Sequence, residues 1–160
     1  MTSAKLTFPK GQWSCRHALG TLVGMAISNL GFANVYVGVV DDDESIRRSL
    51  ARLLRAAGMQ PVTFSSAEEF RADVKQPKFD CLVLDVQLPR MSGIELRDQL
   101  ATEGVATPVV FVTAHDDPRA REEALAGRCV GYFLKTDEGS ELLDAIRRAV
   151  SPHASATVAG

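Results

Sequence analysis

Residues 35–58 read VYVGVVDDDESIRRSLARLLRAAG, a strand-then-helix pattern that recurs along the chain. The first six residues are mostly β-branched and apolar, which is typical of a buried strand. After the acidic run, apolar residues repeat at helical spacing and arginines occupy the other faces. Gly58 is well placed to end that helix. The stretch therefore predicts one unit of a parallel sheet, with carboxylates at the carboxyl end of its strand.

Four further apolar runs have the length of buried strands and alternate with amphipathic segments. They are residues 61–64, 81–85, 109–113 and 130–134. Strict alternation implies a parallel sheet with helices on both faces. The crossovers must be right-handed, which leaves few topologies for a chain of 160 residues. The predicted fold class is therefore α/β, with a doubly wound five-stranded parallel sheet.

Capping signals predict where the later helices start. Ser66 and Ser92 are each followed three residues later by a glutamate, Glu69 and Glu95, which is the spacing of a capping box. Pro118 favours the first turn of the next helix. The predicted N-caps are Ser66, Ser92, Asp117 and, for the last helix, either Ser140 or Asp137.

The composition is that of an ordinary globular domain, with 46% apolar and 24% charged residues. A formal net charge of −2 does not indicate nucleic acid or an anionic membrane surface as the main partner. The three cysteines, Cys15, Cys81 and Cys129, form neither a disulfide framework nor a zinc pattern. We therefore expect a cytoplasmic setting, no membrane association and no direct contact with nucleic acid.

Residues 1–34 lack the strand-and-helix alternation of the later sequence. The run over residues 18–33 loosely resembles a signal peptide, but its glycines, serine and asparagine leave it weakly hydrophobic and short of a membrane span. We predict a poorly ordered extension over residues 1–34, one domain over residues 35–150, and a short frayed tail over residues 151–160.

Polar residues stand at the ends of four predicted strands. Asp41 and Asp42 end the first strand, Asp85 the third, Thr113 the fourth and Lys135 the fifth. Each residue alone is commonly a turn, cap or solvated residue. Ligands of open parallel sheets bind beyond the carboxyl ends of the strands, however, so the joint arrival of these side chains predicts one site.

The chemistry of that site follows from its charges. Clustered carboxylates repel one another unless a cation neutralises them, and Mg²⁺ is the hard ion that oxygen ligands suit. An aspartate can take a phosphoryl group as an acyl phosphate, for which a metal, a lysine and a hydroxyl supply the electrostatic stabilisation. The next acids, Asp43 and Glu44, are interpreted as helix-entry residues.

From residue 35 to residue 150 the sequence resembles response-regulator receiver domains of two-component systems, in particular the FixJ-like branch. The resemblance rests on four motifs in order: VVDDDESIRRSL (39–50), LVLDVQLPRMSGIEL (82–96), VVFVTAH (109–115) and GYFLK (131–135). It implies a flavodoxin-like sheet with strand order 2-1-3-4-5.

The resemblance also implies roles for individual residues. Asp85 is the implied phosphoacceptor, and Asp42 is the implied direct Mg²⁺ ligand, with Asp41 acting largely through water. The other implied roles are a metal ligand from the backbone carbonyl of Gln87, contacts to the phosphoryl oxygens from Thr113 and Lys135, and a switch formed by Thr113 and Tyr132.

Two departures from the family pattern matter. Thr136 stands where the family usually has a proline after the lysine, often with a cis bond, so the loop that carries Lys135 is expected to be either trans and reshaped or cis under strain. The second departure is that no output domain follows Val150, which suggests a stand-alone receiver. Its signal would then pass to a downstream protein or a second copy through the fourth helix, fifth strand and fifth helix.

Three functions are compatible with parts of this pattern. The favoured one is a signalling phosphoacceptor, not an enzyme, that takes its phosphoryl group from a histidine kinase or phosphotransfer protein. An unphosphorylated pseudo-receiver, working as a constitutive interaction module, is a second possibility. It is opposed by the retention of all five site residues, Asp41, Asp42, Asp85, Thr113 and Lys135. A metal-dependent phosphatase would need an acid two residues after the nucleophile, where Gln87 stands, and ranks last.

Overall fold

A computed structural model describes residues 32–73 and 78–151 of the chain. Its five strands are β1 (Tyr36–Val40), β2 (Gln60–Phe64), β3 (Cys81–Asp85), β4 (Val109–Thr113) and β5 (Cys129–Leu134). All neighbouring strands are parallel, and their order is β2-β1-β3-β4-β5. The structure thus confirms both the fold class and the strand order that the resemblance implied.

Helices cover both faces of this sheet. They are α1 (Glu44–Ala56), α2 (Ala67–Ala72), α3 (Gly93–Thr102), α4 (Pro118–Ala126) and α5 (Gly139–Val150). Alternate residues of each strand point to opposite faces, and two apolar cores result. On one face Leu54 of α1 and Ile146 of α5 pack with Val39 and Val83. On the other face α2, α3 and α4 pack against side chains that include Phe111. The strand ends between these layers are left for the site.

The predicted helix starts are largely confirmed. Asp43 caps α1 by accepting the N–H of Ser45 at 2.8 Å. Ser92 and Glu95 form the complete capping box of α3, and Asp117 caps α4 with Pro118 in its first turn. These signals are local, so the sequence carries them without knowledge of the tertiary structure.

Two helix starts differ from the prediction. Ser66 caps α2, but Glu69 binds the N–H and hydroxyl of Ser65, so the capping box is only half formed. The last helix is capped by Glu138 without a side-chain bond, so neither Ser140 nor Asp137 is its N-cap. The Asp137 carboxylate is already engaged by the N–H of Leu134.

The other observed strand and helix boundaries differ slightly from the predicted ones. Strands β1, β2 and β5 begin within one residue of the predicted positions, and α2 ends at Ala72, before residue 74, which lies outside the described part of the chain. Of the predicted extension, only residues 32–34 are described. They form a turn, and Phe32 packs against the core beneath α1 and α5. In the described ranges, no helix has the length and apolar character needed to cross a membrane.

Gly93, the first residue of α3, lies against the end of β3. A Cβ at this position would overlap the carbonyl oxygen of Asp85 and lie 3.0 Å from its carbonyl carbon, which are backbone atoms that cannot rotate away. The N–H of Gly93 also donates to the carbonyl of Val86 at 3.2 Å. Glycine is therefore required here so that α3 can approach the strand that carries Asp85.

We expect Gly93→Ala to destabilise the protein by about 2 kcal/mol or more, because overpacking against backbone forces a shift of α3 or β3. Urea denaturation measures the loss. Gly104→Asn is the control. Gly104 has φ +82°, a Cβ added there would have no atom within 4 Å, and asparagine tolerates that backbone, so a loss below about 1 kcal/mol is expected. Equal losses in the two variants would contradict the close approach of α3.

Candidate functional site

The site lies where β1, β3, β4 and β5 end. Asp41 directly follows β1, and Asp85 is the last residue of β3. Because β1 and β3 are neighbours in the sheet, these two carboxylates are adjacent, and both are almost fully buried, at 1% and 3% exposure. The ammonium of Lys135, just after β5, reaches across the sheet to both of them. Its Nζ lies 2.9 Å from Oδ2 of Asp41 and 2.9 Å from Oδ2 of Asp85.

Asp42 completes an acidic cluster with these two residues. Carboxylate oxygens of Asp41, Asp42 and Asp85 all lie within 4.8 Å of one another, and Asp42 is exposed to solvent. Three carboxylates and one ammonium leave an excess of two negative charges at the carboxyl ends of the strands. A divalent cation with a preference for oxygen ligands fits that donor set and that charge.

The backbone around the carboxylates is closely bonded. The N–H of Gln87 donates to Oδ1 of Asp85 at 3.0 Å, and the N–H of Asp43 donates to Oδ1 of Asp41 at 2.8 Å. These bonds orient both carboxylates at the ends of their strands. The role of the Gln87 carbonyl as a metal ligand stays a prediction.

The charge states of the site depend on burial and on close neighbours. Burial, followed by the nearby charge of Asp41, raises the pKa of Asp85 to about 6. Burial also raises the pKa of Asp41, against the opposing effect of its bond to Lys135. Burial alone would lower the pKa of Lys135, but its bonds to Asp41 and Asp85 outweigh that effect and the net change is upward. The lysine is therefore charged, and Asp85 is mostly ionised at neutral pH.

Thr113 and Tyr132 occupy the neighbouring strands β4 and β5. The Thr113 hydroxyl is buried, donates to the carbonyl of His115 at 3.1 Å and accepts the N–H of His115 at 3.4 Å. The ring of Tyr132 lies under the guanidinium of Arg121 of α4, with its centroid 5.1 Å from Cζ. Burial is the main cause that raises the pKa of the Tyr132 hydroxyl. Tyr132 thus connects β5 to α4.

The loop after Lys135 is trans. No peptide bond in the described ranges is cis, so the bond between Lys135 and Thr136 is trans and the strained cis arrangement is not adopted. The N–H of Lys135 donates to the carbonyl of Thr113 at 2.7 Å, which continues the sheet by one residue. The missing proline therefore does not displace the ammonium from the carboxylates.

Sequence reasoning did not single out Arg47. This residue lies in the first turns of α1, and its Nη1 donates to the backbone carbonyl of Asp41 at 2.7 Å. It ties α1 to the end of β1. The available signal was its position one helical turn beyond the acidic run, but an arginine on an amphipathic helix is usually solvated.

The fold and this acidic site define a class of protein. Residues 37–147 match the family model described as the response regulator receiver domain. The match covers more than half of the chain, so the chain belongs to the response regulator receiver domain family. Acidic residues at the ends of β1 and β3 with a lysine after β5 are what this family membership leads one to expect.

Individual relatives agree with this assignment. Nodulation protein W of Bradyrhizobium diazoefficiens is 40% identical over 110 residues, which are 69% of this chain and 48% of that protein. Transcriptional regulatory protein FixJ of Rhizobium meliloti is 35% identical over 113 residues, which are 71% of this chain and 55% of that protein. The chain therefore spans about half the length of these curated relatives.

Solved structures show the same likeness. The crystal structure of FixJ-N superposes with a TM-score of 0.67 at 33% identity and covers 73% of this chain and 94% of that one. The structure of response regulator StyR gives a TM-score of 0.63 at 41% identity, covering 74% of this chain and 60% of that one. The similarity to the FixJ-like branch is thus present in both sequence and fold, and the stand-alone character of the receiver stays a prediction.

The neighbouring acids Asp42 and Asp43 allow a matched test of the metal site. Asp42→Ala should weaken Mg²⁺ binding at least about ten-fold, because it removes both a ligand and a charge. Asp43→Ala should leave Mg²⁺ affinity within about three-fold and cost about 1 kcal/mol of stability through the lost N-cap. Isothermal titration calorimetry and thermal denaturation measure the two effects. Similar losses of Mg²⁺ affinity in both variants would mean that the ligand assignment is wrong.

Proposed function

We propose that this receiver accepts a phosphoryl group on Asp85 from a histidine kinase or phosphotransfer protein. The observation that carries the proposal is the convergence of three carboxylates and the Lys135 ammonium at one strand edge. Asp41, Asp42, Asp85 and the backbone carbonyl of Gln87 would hold Mg²⁺, which would offset charge on the phosphoryl oxygens. The protein would act as a signalling phosphoacceptor in the cytoplasm and not as an enzyme with a separate substrate.

Asp85 is the carboxylate best placed to be the nucleophile. It ends the central strand β3. The acids that follow β1 lie on one side of it, and Thr113 of β4 and Lys135, which follows β5, lie on the other. A phosphoryl group on Asp85 would therefore lie among all the charged groups at once. Asp41, at the edge of the cluster, has one oxygen bound by the Asp43 N–H and both within reach of Lys135.

In the transfer step, Asp85 is the protein group that forms a covalent bond. An Asp85 oxygen forms a bond to phosphorus, the bond from phosphorus to the donor's leaving nitrogen breaks, and that nitrogen keeps the electron pair. Lys135 would pair with a phosphoryl oxygen and stabilise the charge that develops there. A pKa of about 6 leaves Asp85 predominantly ionised at pH 7, so no separate base is needed to activate it.

Labelling of the nucleophile tests this proposal. Acetyl phosphate with Mg²⁺ should add one phosphoryl group that hydroxylamine removes, and Asp85→Asn should abolish the labelling because the amide cannot form the acyl phosphate. Intact-protein mass spectrometry measures the adduct. The matched control is Asp80→Asn, which changes an exposed carboxylate at the opposite end of β3 and should label like the wild type. Undiminished labelling of Asp85→Asn would exclude Asp85 as the phosphoacceptor.

Output is proposed to pass through α4, β5 and α5 to a downstream protein or a second copy of the chain. The Thr113 hydroxyl is now bonded to the backbone of His115, so it must exchange those bonds to reach a phosphoryl oxygen. Movement at the end of β4 would change the packing of Tyr132 on the adjoining strand β5. Because the Tyr132 ring contacts Arg121, it would also shift α4. The exchange is a two-state change that only the phosphorylated site favours.

Substitution of Thr113 separates phosphorylation from output. Self-association measured by analytical ultracentrifugation should strengthen on phosphorylation of the wild type. The gain should be lost in Thr113→Ala, which lacks the hydroxyl that recognises the phosphoryl group, and largely kept in the matched variant Thr113→Ser. If phosphorylation leaves the association constants of both the wild type and Thr113→Ala unchanged, this output mechanism fails and the alternative of a constitutive interaction module is favoured.

A further inference from the structure

The turn that follows β5 is held by a carboxylate that the site does not use. Oδ2 of Asp137 accepts the N–H of Leu134 at 2.6 Å, and the N–H of Asp137 donates to the carbonyl of Leu134 at 2.9 Å. Both polar groups of one peptide position, the last of β5, are thus bound by a single residue three positions later. The result is a closed turn whose two middle residues are Lys135 and Thr136.

The position of β5 in the sheet explains why this bond is needed. β5 is the last strand in the described sheet, with β4 on one side. Backbone N–H groups alternate in direction along a strand, and the N–H of Lys135 points to β4, where it donates to Thr113. The N–H of Leu134 therefore points to the open side, where the described sheet has no further strand. The Asp137 carboxylate supplies the missing acceptor.

The turn also has to hold a long, flexible side chain in one place. The Lys135 side chain is 13% exposed and spans from β5 across β4 to the carboxylates of β3 and β1. A small rotation about the backbone at Lys135 or Thr136 would move the distant ammonium by a larger amount. Thr136 has no ring to restrict its φ angle, so the restraint must come from hydrogen bonds.

The bonds of Asp137 are not those of a helix cap. The N-cap of α5 is Glu138, whose carboxylate makes no capping bond to the backbone N–H groups of the helix and instead accepts the hydroxyl of Ser140. The carboxylate of Asp137 is directed back to β5 instead. Asp137 thus acts on the turn that carries Lys135.

We propose that Asp137 is the positioning residue for Lys135: its carboxylate closes the turn after β5 and so places the ammonium between Asp41 and Asp85. Asp137 does not itself touch the reacting atoms. The role in phosphoryl transfer rests on the proposed function of Asp85, whereas the role in placing the ammonium stands independently of it.

Three variants test the proposal in the full chain with acetyl phosphate and Mg²⁺. Asp137→Ala removes the acceptor and should slow phosphorylation on the order of ten- to a hundred-fold, the scale set by misplacement of a charged group by about 1 Å. Asp137→Asn keeps an acceptor oxygen and should remain within about three-fold of the wild type. Glu138→Ala changes the adjacent acid, whose carboxylate does not bond the turn, and should also remain within about three-fold.

A double-mutant cycle distinguishes positioning from a loss of stability. In a Lys135→Ala background, Asp137→Ala should slow phosphorylation no further, because the group it places is already gone. Mg²⁺ affinity should not fall in Asp137→Ala, because the three carboxylates are retained. The proposal is overturned if Asp137→Ala is phosphorylated within about two-fold of the wild-type rate. It is also overturned if Asp137→Asn is as slow as Asp137→Ala, or if the effects of Asp137→Ala and Lys135→Ala on the rate are additive.

A second readout does not depend on phosphorylation at all. An amine-reactive acetylating reagent, followed by peptide mass spectrometry, should modify Lys135 at least several-fold faster in Asp137→Ala than in the wild type, with exposed Lys78 as the internal reference. Unchanged reactivity of Lys135 would contradict the positioning role even if Asp85 is phosphorylated. Raised reactivity without any labelling of Asp85 would retain the positioning role and reject the proposed function.

Discussion

The double ion pair of Lys135 with Asp41 and Asp85 is the interaction on which the rest of the site depends. It joins the ends of β1 and β3 to the end of β5, across the intervening strand β4. Two buried carboxylates on adjacent strands would otherwise repel each other, and burial already disfavours their charged forms. The ammonium reduces the repulsion between the two carboxylates, but it does not neutralise the charge of the whole acidic cluster.

The remaining negative charge relates the site to the stability of the fold. An ion that binds the folded cluster and not the unfolded chain stabilises the fold by mass action, so the excess charge couples metal binding to folding. The surrounding structure tolerates the repulsion because its two cores are apolar and extensive, with Phe111 and Leu54 fully buried on opposite faces. The unfavourable electrostatics are thus confined to the strand ends, where ligands bind in this architecture.

Helix caps depend on residues close in sequence, and the sequence alone predicts most of them. Contacts made at the open edge of the sheet or between helices depend on the tertiary structure, and the sequence alone does not predict them. The caps at Asp43, Ser92 and Asp117 follow from local spacing. The strand order came from the resemblance, because periodicity alone does not give it. Arg97 reads as a solvated residue of α3, yet it is 6% exposed and donates to the carbonyl of Ala124 at 2.6 Å. Its partner lies on α4, which no local pattern could indicate.

β5 is an edge strand of the described sheet, and it is the one that Lys135 follows. It pairs with β4 on one side, with a register shift at Val109 and Val110, and the Asp137 turn closes its end on the other. Successive side chains of β5 alternate between the two cores, with Tyr132 packed on the α4 side and Phe133 on the α5 side. A change in what Lys135 binds therefore acts on a strand held by a single neighbour, and both α4 and α5 lie in contact with it. On the proposed function, the edge strand whose end Asp137 closes would also couple the site to the surface of α4 and α5.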